Sequence, residues 1–131
     1  LDMMRELCEK HGTELVLFKA PSLSPVWWPQ WEEQIEEYAA KHDLTYWNFL
    51  EYQEEIGIDW NTDTYDTGLH LNVYGAEKMS RFFGQLLVDT FGLEDRRYDN
   101  TLCTLWAEKV ETYNERKATL EAQTASEIKG E

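Results

Sequence analysis

The chain has 131 residues, of which 42% are hydrophobic, 14% aromatic and 29% charged, with three prolines and seven glycines. That length holds one modest domain, and that composition excludes a disordered or collagen-like chain. With 26 acidic against 12 basic side chains the formal net charge is −14, a surface that repels phosphate backbones and anionic headgroups and argues against nucleic-acid binding.

In chain order, DMMRELCEKH (2–11) places Met3, Met4, Leu7 and Cys8 near one helical face, and Gly12 supplies a stop. ELVLFK (14–19) is a nearly continuous apolar run that reads as a buried strand and ends at Ala20-Pro21. A PSLSP loop leads to a helix over 27–43, with Pro29 in its first turn and Trp31, Ile35, Tyr38 and Ala39 at helical spacing. LTYWNFL (44–50) reads as a second strand. Strand, helix and strand within that span predict one parallel βαβ unit with a right-handed crossover.

Residues 51–72 show no steady period and contain Asp59, Asp63 and Asp66, as expected of a long functional loop with one helical turn. Helical spacing returns over 73–91, where Ala76, Met79, Phe82, Phe83, Leu86 and Leu87 share a face and Gly92 ends the run. A last helix is predicted over 101–127. Its first half carries Leu102, Leu105, Trp106, Val110 and Tyr113, and its polar second half is expected to fray. No uncharged run approaches the roughly 18–20 apolar residues that span a bilayer. Cys8 and Cys103 belong to no CxxC cluster and are expected as buried free thiols, which leaves the compartment undecided. The chain opens at Leu1 with neither an initiator Met nor a signal peptide, and reads as a piece of something longer.

The stretch richest in chemistry is DTYDTGLHLNVYGAEKMS (63–80). His70 follows Asp66 by four residues in a glycine-containing loop, just before an amphipathic helix. A carboxylate that accepts a hydrogen bond from one ring nitrogen fixes the tautomer and leaves the other nitrogen as a general base. Asn72 suits the N-cap of the helix that follows, and Gly75 a close backbone approach. By residue type and spacing alone, an Asp and a His four apart in a loop are weak evidence for catalysis, since most such pairs are surface residues.

The pattern D-x-x-x-H-L-N-x-x-G-A-x-K resembles the C-terminal block of SGNH/GDSL-type hydrolases, most closely the bacterial extracytoplasmic branch associated with membrane-bound O-acyltransferases. ELVLFKAPS resembles that branch's strand and Pro-containing loop, W-x-x-x-W-x-x-x-I-x-x-Y-A its next helix, and LEDRRYDNTLCTLWAEKVETY its tail. The resemblance spans roughly residues 1–115. It implies part of a three-layer αβα sandwich around a parallel sheet, in which a serine attacks an ester carbonyl with histidine as base and aspartate as orienter. On this implication His70 is the base and Asp66 the orienter. The family usually places two residues between Asp and His where this chain has three, so Asp63 stands as the alternative.

The resemblance further implies the C-terminal part of an SGNH-like α/β domain over 1–100, then a C-terminal helix and polar tail over 101–131. The family's Gly-Asp-Ser nucleophile block and its oxyanion-hole blocks are missing. The serines present, Ser22, Ser24, Ser80 and Ser126, lack the strand-to-helix turn that exposes a nucleophile. The implied activity is that of a serine esterase or O-acyltransferase on acyl esters of cell-envelope carbohydrate, extracytoplasmic, with its anchor outside this chain. A membrane-bound O-acyltransferase is the implied partner, and neither cofactor nor metal is implied. The alternative is a non-catalytic SGNH-like binding or scaffold module of an envelope acylation system.

Other residues carry two readings. Trp27, Trp28 and Trp31 suit a sugar-stacking platform or packing at a helix start, whereas Trp47 and Trp106 are expected in the core. Trp60 and Asn72, both close to His70 in sequence, are the candidate substrate contacts. His11 and His42 sit at helix ends, where the helix dipole favours a cation. Asp59, Asp63 and Asp66 lack the spacing and closing Glu of an EF-hand loop. Arg96 and Arg97 are expected as surface ion-pair partners, with a structural clasp the reading the family tail implies. Two apolar strands cannot make a stable sheet alone, so the sheet is expected to be completed from outside the chain, by the rest of the domain, a second copy or a swapped element.

Overall fold

The computed structural model describes residues 1–129, and side chains as far as 122. It is a mixed α/β chain, mostly helical, with five helices and a two-stranded parallel sheet among the described residues. The elements are α1 (Asp2–His11), β1 (Val16–Lys19), α2 (Pro29–Lys41), β2 (Thr45–Asn48), α3 (Gln53–Ile56), α4 (Val73–Phe91) and α5 (Asn100–Lys129). They fall into two units, Leu1–Phe82 and the remainder from Phe83.

In the first unit α1 ends where Gly12 turns left-handed (φ 61°), a conformation that costs glycine nothing. β1 and β2 pair in parallel with Val16 opposite Thr45 and Lys19 opposite Asn48, and α2 lies between them in sequence. Both strands are shorter than their apolar runs, because a ladder lasts only as far as its partner does. One more bond, from the Phe49 N–H to the Lys19 carbonyl, extends it past β2.

Pro29 sits at the start of α2, where its missing N–H removes no helical bond. One turn on, Glu32 ties α2 to both strands. Its carboxylate accepts from the Tyr46 hydroxyl (2.6 Å), the Trp27 indole (2.7 Å) and Lys19 (3.3 Å). Burial pushes this carboxyl up, and those three donors outweigh it, so its pKa lies below the ordinary range.

The core of the unit is small: Leu17, Ala39, Phe49, Ile56 and Met79. Phe49 is fully buried and meets the rings of Phe18, Trp47, Tyr52 and Phe82 at centroid distances of 5.8–6.2 Å. Trp47, expected in the core, is half-buried at its rim. The face of α1 that periodicity marks as apolar stays open, with Met3 85% exposed and no buried residue on the helix.

In the second unit Asp99 caps α5 by accepting the Thr101 and Leu102 N–H groups, and Arg96 pairs with it. Arg97 grips Asp95 through two nitrogens, and the Asp95 carboxyl falls to about 2 as a result. Two expectations are corrected here. Trp106 is 54% exposed, beside exposed Leu105 and Val110, and Cys103 is an exposed free thiol rather than a buried one. Periodicity located the apolar face of α5, and Leu105, Trp106 and Val110 on it stay exposed. The helix continues to Lys129, and the expected fraying concerns in part side chains that lie outside the described residues.

Candidate functional site

Residues 63–72 fold into a small antiparallel hairpin between α3 and α4. An isolated bridge joins Thr64 and Leu71, the Tyr65 N–H donates to the His70 carbonyl (3.0 Å), and the Asn72 N–H donates to the Asp63 carbonyl (2.9 Å). The chain reverses through Thr67 and Gly68, both at positive φ (54° and 100°), a reversal that glycine permits at the second position. A Cβ at Gly68 would also strike the Leu23 side chain. Thr64 braces the turn from inside, its hydroxyl donating to the Trp60 carbonyl (2.7 Å) and accepting the Gly68 N–H (3.0 Å). The loop after β1 holds the same turn from outside, through the Leu23 N–H to the Gly68 carbonyl and the Ser22 hydroxyl to the Leu69 carbonyl.

This reversal folds His70 back onto Asp66. One carboxylate oxygen accepts the His70 backbone N–H at 2.8 Å, and the other lies 2.6 Å from Nδ1 of the same residue. The ring hydrogen bond holds the Asp66 carboxyl below the ordinary carboxylate range, against a smaller opposing effect of desolvation, with the backbone N–H adding to it. An ionised carboxylate only accepts hydrogen bonds, so Nδ1 carries a proton, and in the neutral ring Nε2 keeps the lone pair. The His70 side chain is 77% exposed. Such a pair has the tautomer and the access of a general base.

Asp63, the alternative orienter, is committed elsewhere. Its carboxylate is buried and accepts from Lys78 Nζ (2.6 Å) and from the Asp59 N–H (2.8 Å). Asn72, a candidate substrate contact, is a structural clasp. Its Oδ1 caps α4 by accepting the Tyr74 and Gly75 N–H groups, and its Nδ2 donates to the Thr62 and Thr64 carbonyls. Those four bonds use the whole capacity of a side-chain amide. Trp60 is half-buried and donates its indole N–H to Gln53 (2.9 Å) at the foot of the hairpin. Trp28 and Trp31 expose their rings, while Trp27 is held by Glu32.

Of the serines, Ser22 donates to Leu69 and Ser80 is exposed on α4, while the side chain of Ser126 lies outside the described residues. Among the described residues no three His, Cys, Asp or Glu side chains converge as metal ligands would. Residue-by-residue reading gave Thr64 and Lys78 no role. Thr64 carried a faint signal, a hydroxyl four residues before a glycine in a turn. Lys78 closes the quoted motif, but its partner is not legible from spacing, because it stands 15 residues from the carboxylate it meets.

No protein-family profile matches the chain, and neither do any of the curated proteins or solved structures compared with it.

Proposed function

We propose that this chain supplies the histidine and aspartate of an SGNH-type serine esterase or O-acyltransferase, as the C-terminal part of a three-layer αβα sandwich. The substrate class is an acyl ester of cell-envelope carbohydrate, handled outside the cytoplasm, with a membrane-bound O-acyltransferase as working partner. The observation that supports this most strongly is the double grip of Asp66 on His70, which leaves Nε2 open to solvent. In the reaction Nε2 takes the proton of a serine hydroxyl as its oxygen attacks the ester carbonyl, then returns it to the departing alcohol. Water or a sugar hydroxyl then releases the acyl group, with Nε2 taking and returning that proton in turn. The serine and the oxyanion donors come from outside the described residues. No helix among those residues is long and apolar enough to cross a membrane, so envelope association relies on another segment or on the partner.

The open apolar surface of the first unit supports the same reading. Phe18 on β1 is 52% exposed although it touches Phe49, and a cavity of about 220 Å³ beside the strand is lined by Leu1, Leu17, Trp27 and Ile35 among others. Parallel sheets are normally covered on both faces, so the remainder of the domain or a second copy completes this one.

A second reading, a non-catalytic scaffold that keeps the fold, is favoured by one observation: none of the described serines stands in a nucleophile's setting. Treating the complete protein with a fluorophosphonate probe separates the two. An enzyme labels at a serine and loses labelling rate in His70→Ala, whereas a scaffold does not label.

A further inference from the structure

Asp63 is the one buried charged residue among those described, and the proposed reaction does not use it. Its side chain is 3% exposed, yet its ion-pair partner Lys78 is 37% exposed. Lys78 Nζ makes two bonds, to Asp63 Oδ2 (2.6 Å) and to the carbonyl of Gly57 (2.9 Å), the left-handed residue that ends α3. Asp63 in turn holds the Asp59 N–H through its carboxylate and the Asn72 N–H through its carbonyl. Gly75 of α4 lies flush against that carbonyl, where any Cβ would collide with it. Three segments therefore meet on one ion pair: the end of α3, the base of the hairpin and the first turns of α4.

The hairpin has little apolar packing of its own to hold it. Tyr65 is 72% exposed, Leu69 and His70 are exposed and Leu71 is only half-buried. Buried ion pairs contribute little net stability over an apolar replacement, and setting a register is their best-attested use. We propose that Lys78 and Asp63 are positioning residues: their ion pair sets the hairpin base in the one register that places His70 on Asp66. Neither touches substrate. The inference rests on His70 and Asp66 being base and orienter, but the pairing it explains can be measured without any activity.

The test is a long-range 1H–15N NMR spectrum of the histidine rings in the complete protein, at a pH where the imidazoles are neutral, with exposed His11 as internal reference. Wild type is expected to show His70 as the Nδ1–H tautomer alone. Lys78→Met is expected to shift His70 to the tautomer mixture of His11 and to lose roughly a factor of ten or more in amide protection at Tyr65 and Asn72. Lys78→Arg, which can still donate to Asp63, is expected to restore both. A folded Lys78→Met that keeps the wild-type His70 spectrum overturns the proposal, even if its melting temperature falls. Should that variant not fold, amide exchange of the wild type decides. Asp59, Tyr65 and Asn72 opening together support a common anchor, and Tyr65 and Asn72 opening while Asp59 stays protected overturn it. Because no readout involves turnover, an inert His70 in the complete protein would leave the result standing.

Discussion

At the residue scale, one carboxylate holds both ends of one histidine. Asp66 fixes the His70 backbone and its ring together, so ring rotation and tautomer are set at once. Asp66→Asn keeps the shape and can offer Nδ1 a donor instead of an acceptor, which favours the wrong tautomer. In the complete protein this change is expected to lower ester turnover by roughly 10³–10⁴-fold with little change in fold. The pair also has a pH signature. The folded carboxyl titrates below its unfolded value, so the stability it contributes is present above the ordinary carboxylate range and lost as pH falls through the folded value. A carbon-detected titration of Asp66 should find its midpoint below that range, and a midpoint within it contradicts the hydrogen bond. A histidine base loses rate as it protonates, so turnover should fall toward acid pH. A turnover that does not fall toward acid pH argues against His70 in that role.

At the element scale, the hairpin and α4 form one device, joined by Asn72 and Gly75. Asn72→Ala removes the cap and strands two loop carbonyls, and should cost about 2 kcal/mol in urea denaturation. Gly75→Ala drives a methyl group into the Asp63 carbonyl and should cost roughly 1–3 kcal/mol, where an open helical glycine such as Gly84 should gain from the same change. Much of this was legible in the sequence. The bounds of α4 followed from the spacing of Met79, Phe82 and Leu86 and from the stop at Gly92, which are local signals. Asn72 was legible as a cap, and the pairing of Asp66 with His70 was one of two options. The buried role of Asp63 was not legible, since only the folded chain brings Lys78 to it. The strand ends were misjudged for the same reason: Leu15 and Leu50 continue the apolar runs but lie beyond the reach of the partner strand.

At the scale of the whole molecule, apolar surface remains open in both units, on α1, beside β1 and along α5. Amphipathic spacing told which faces are apolar but not whether anything covers them, which is why Trp106 was misread as core. A chain of net charge −14 repels its own copies, yet the surface beside β1 is lined mainly by the apolar side chains of Leu17, Phe18, Trp27 and Ile35, together with the cation Lys19. Light scattering after size exclusion is expected to find this chain associated or aggregating, and Phe18→Glu is expected to reduce that association. A stable, cooperatively melting monomer contradicts a sheet completed from outside. The central claim, that His70 is the base of a serine ester reaction, is tested most directly by acetyl-ester turnover of His70→Ala in the complete protein. The side chain is 77% exposed, so its loss should leave the fold intact. A fall of about 10³-fold or more in kcat/KM with an unchanged melting temperature is the result expected, and turnover equal to wild type would contradict it.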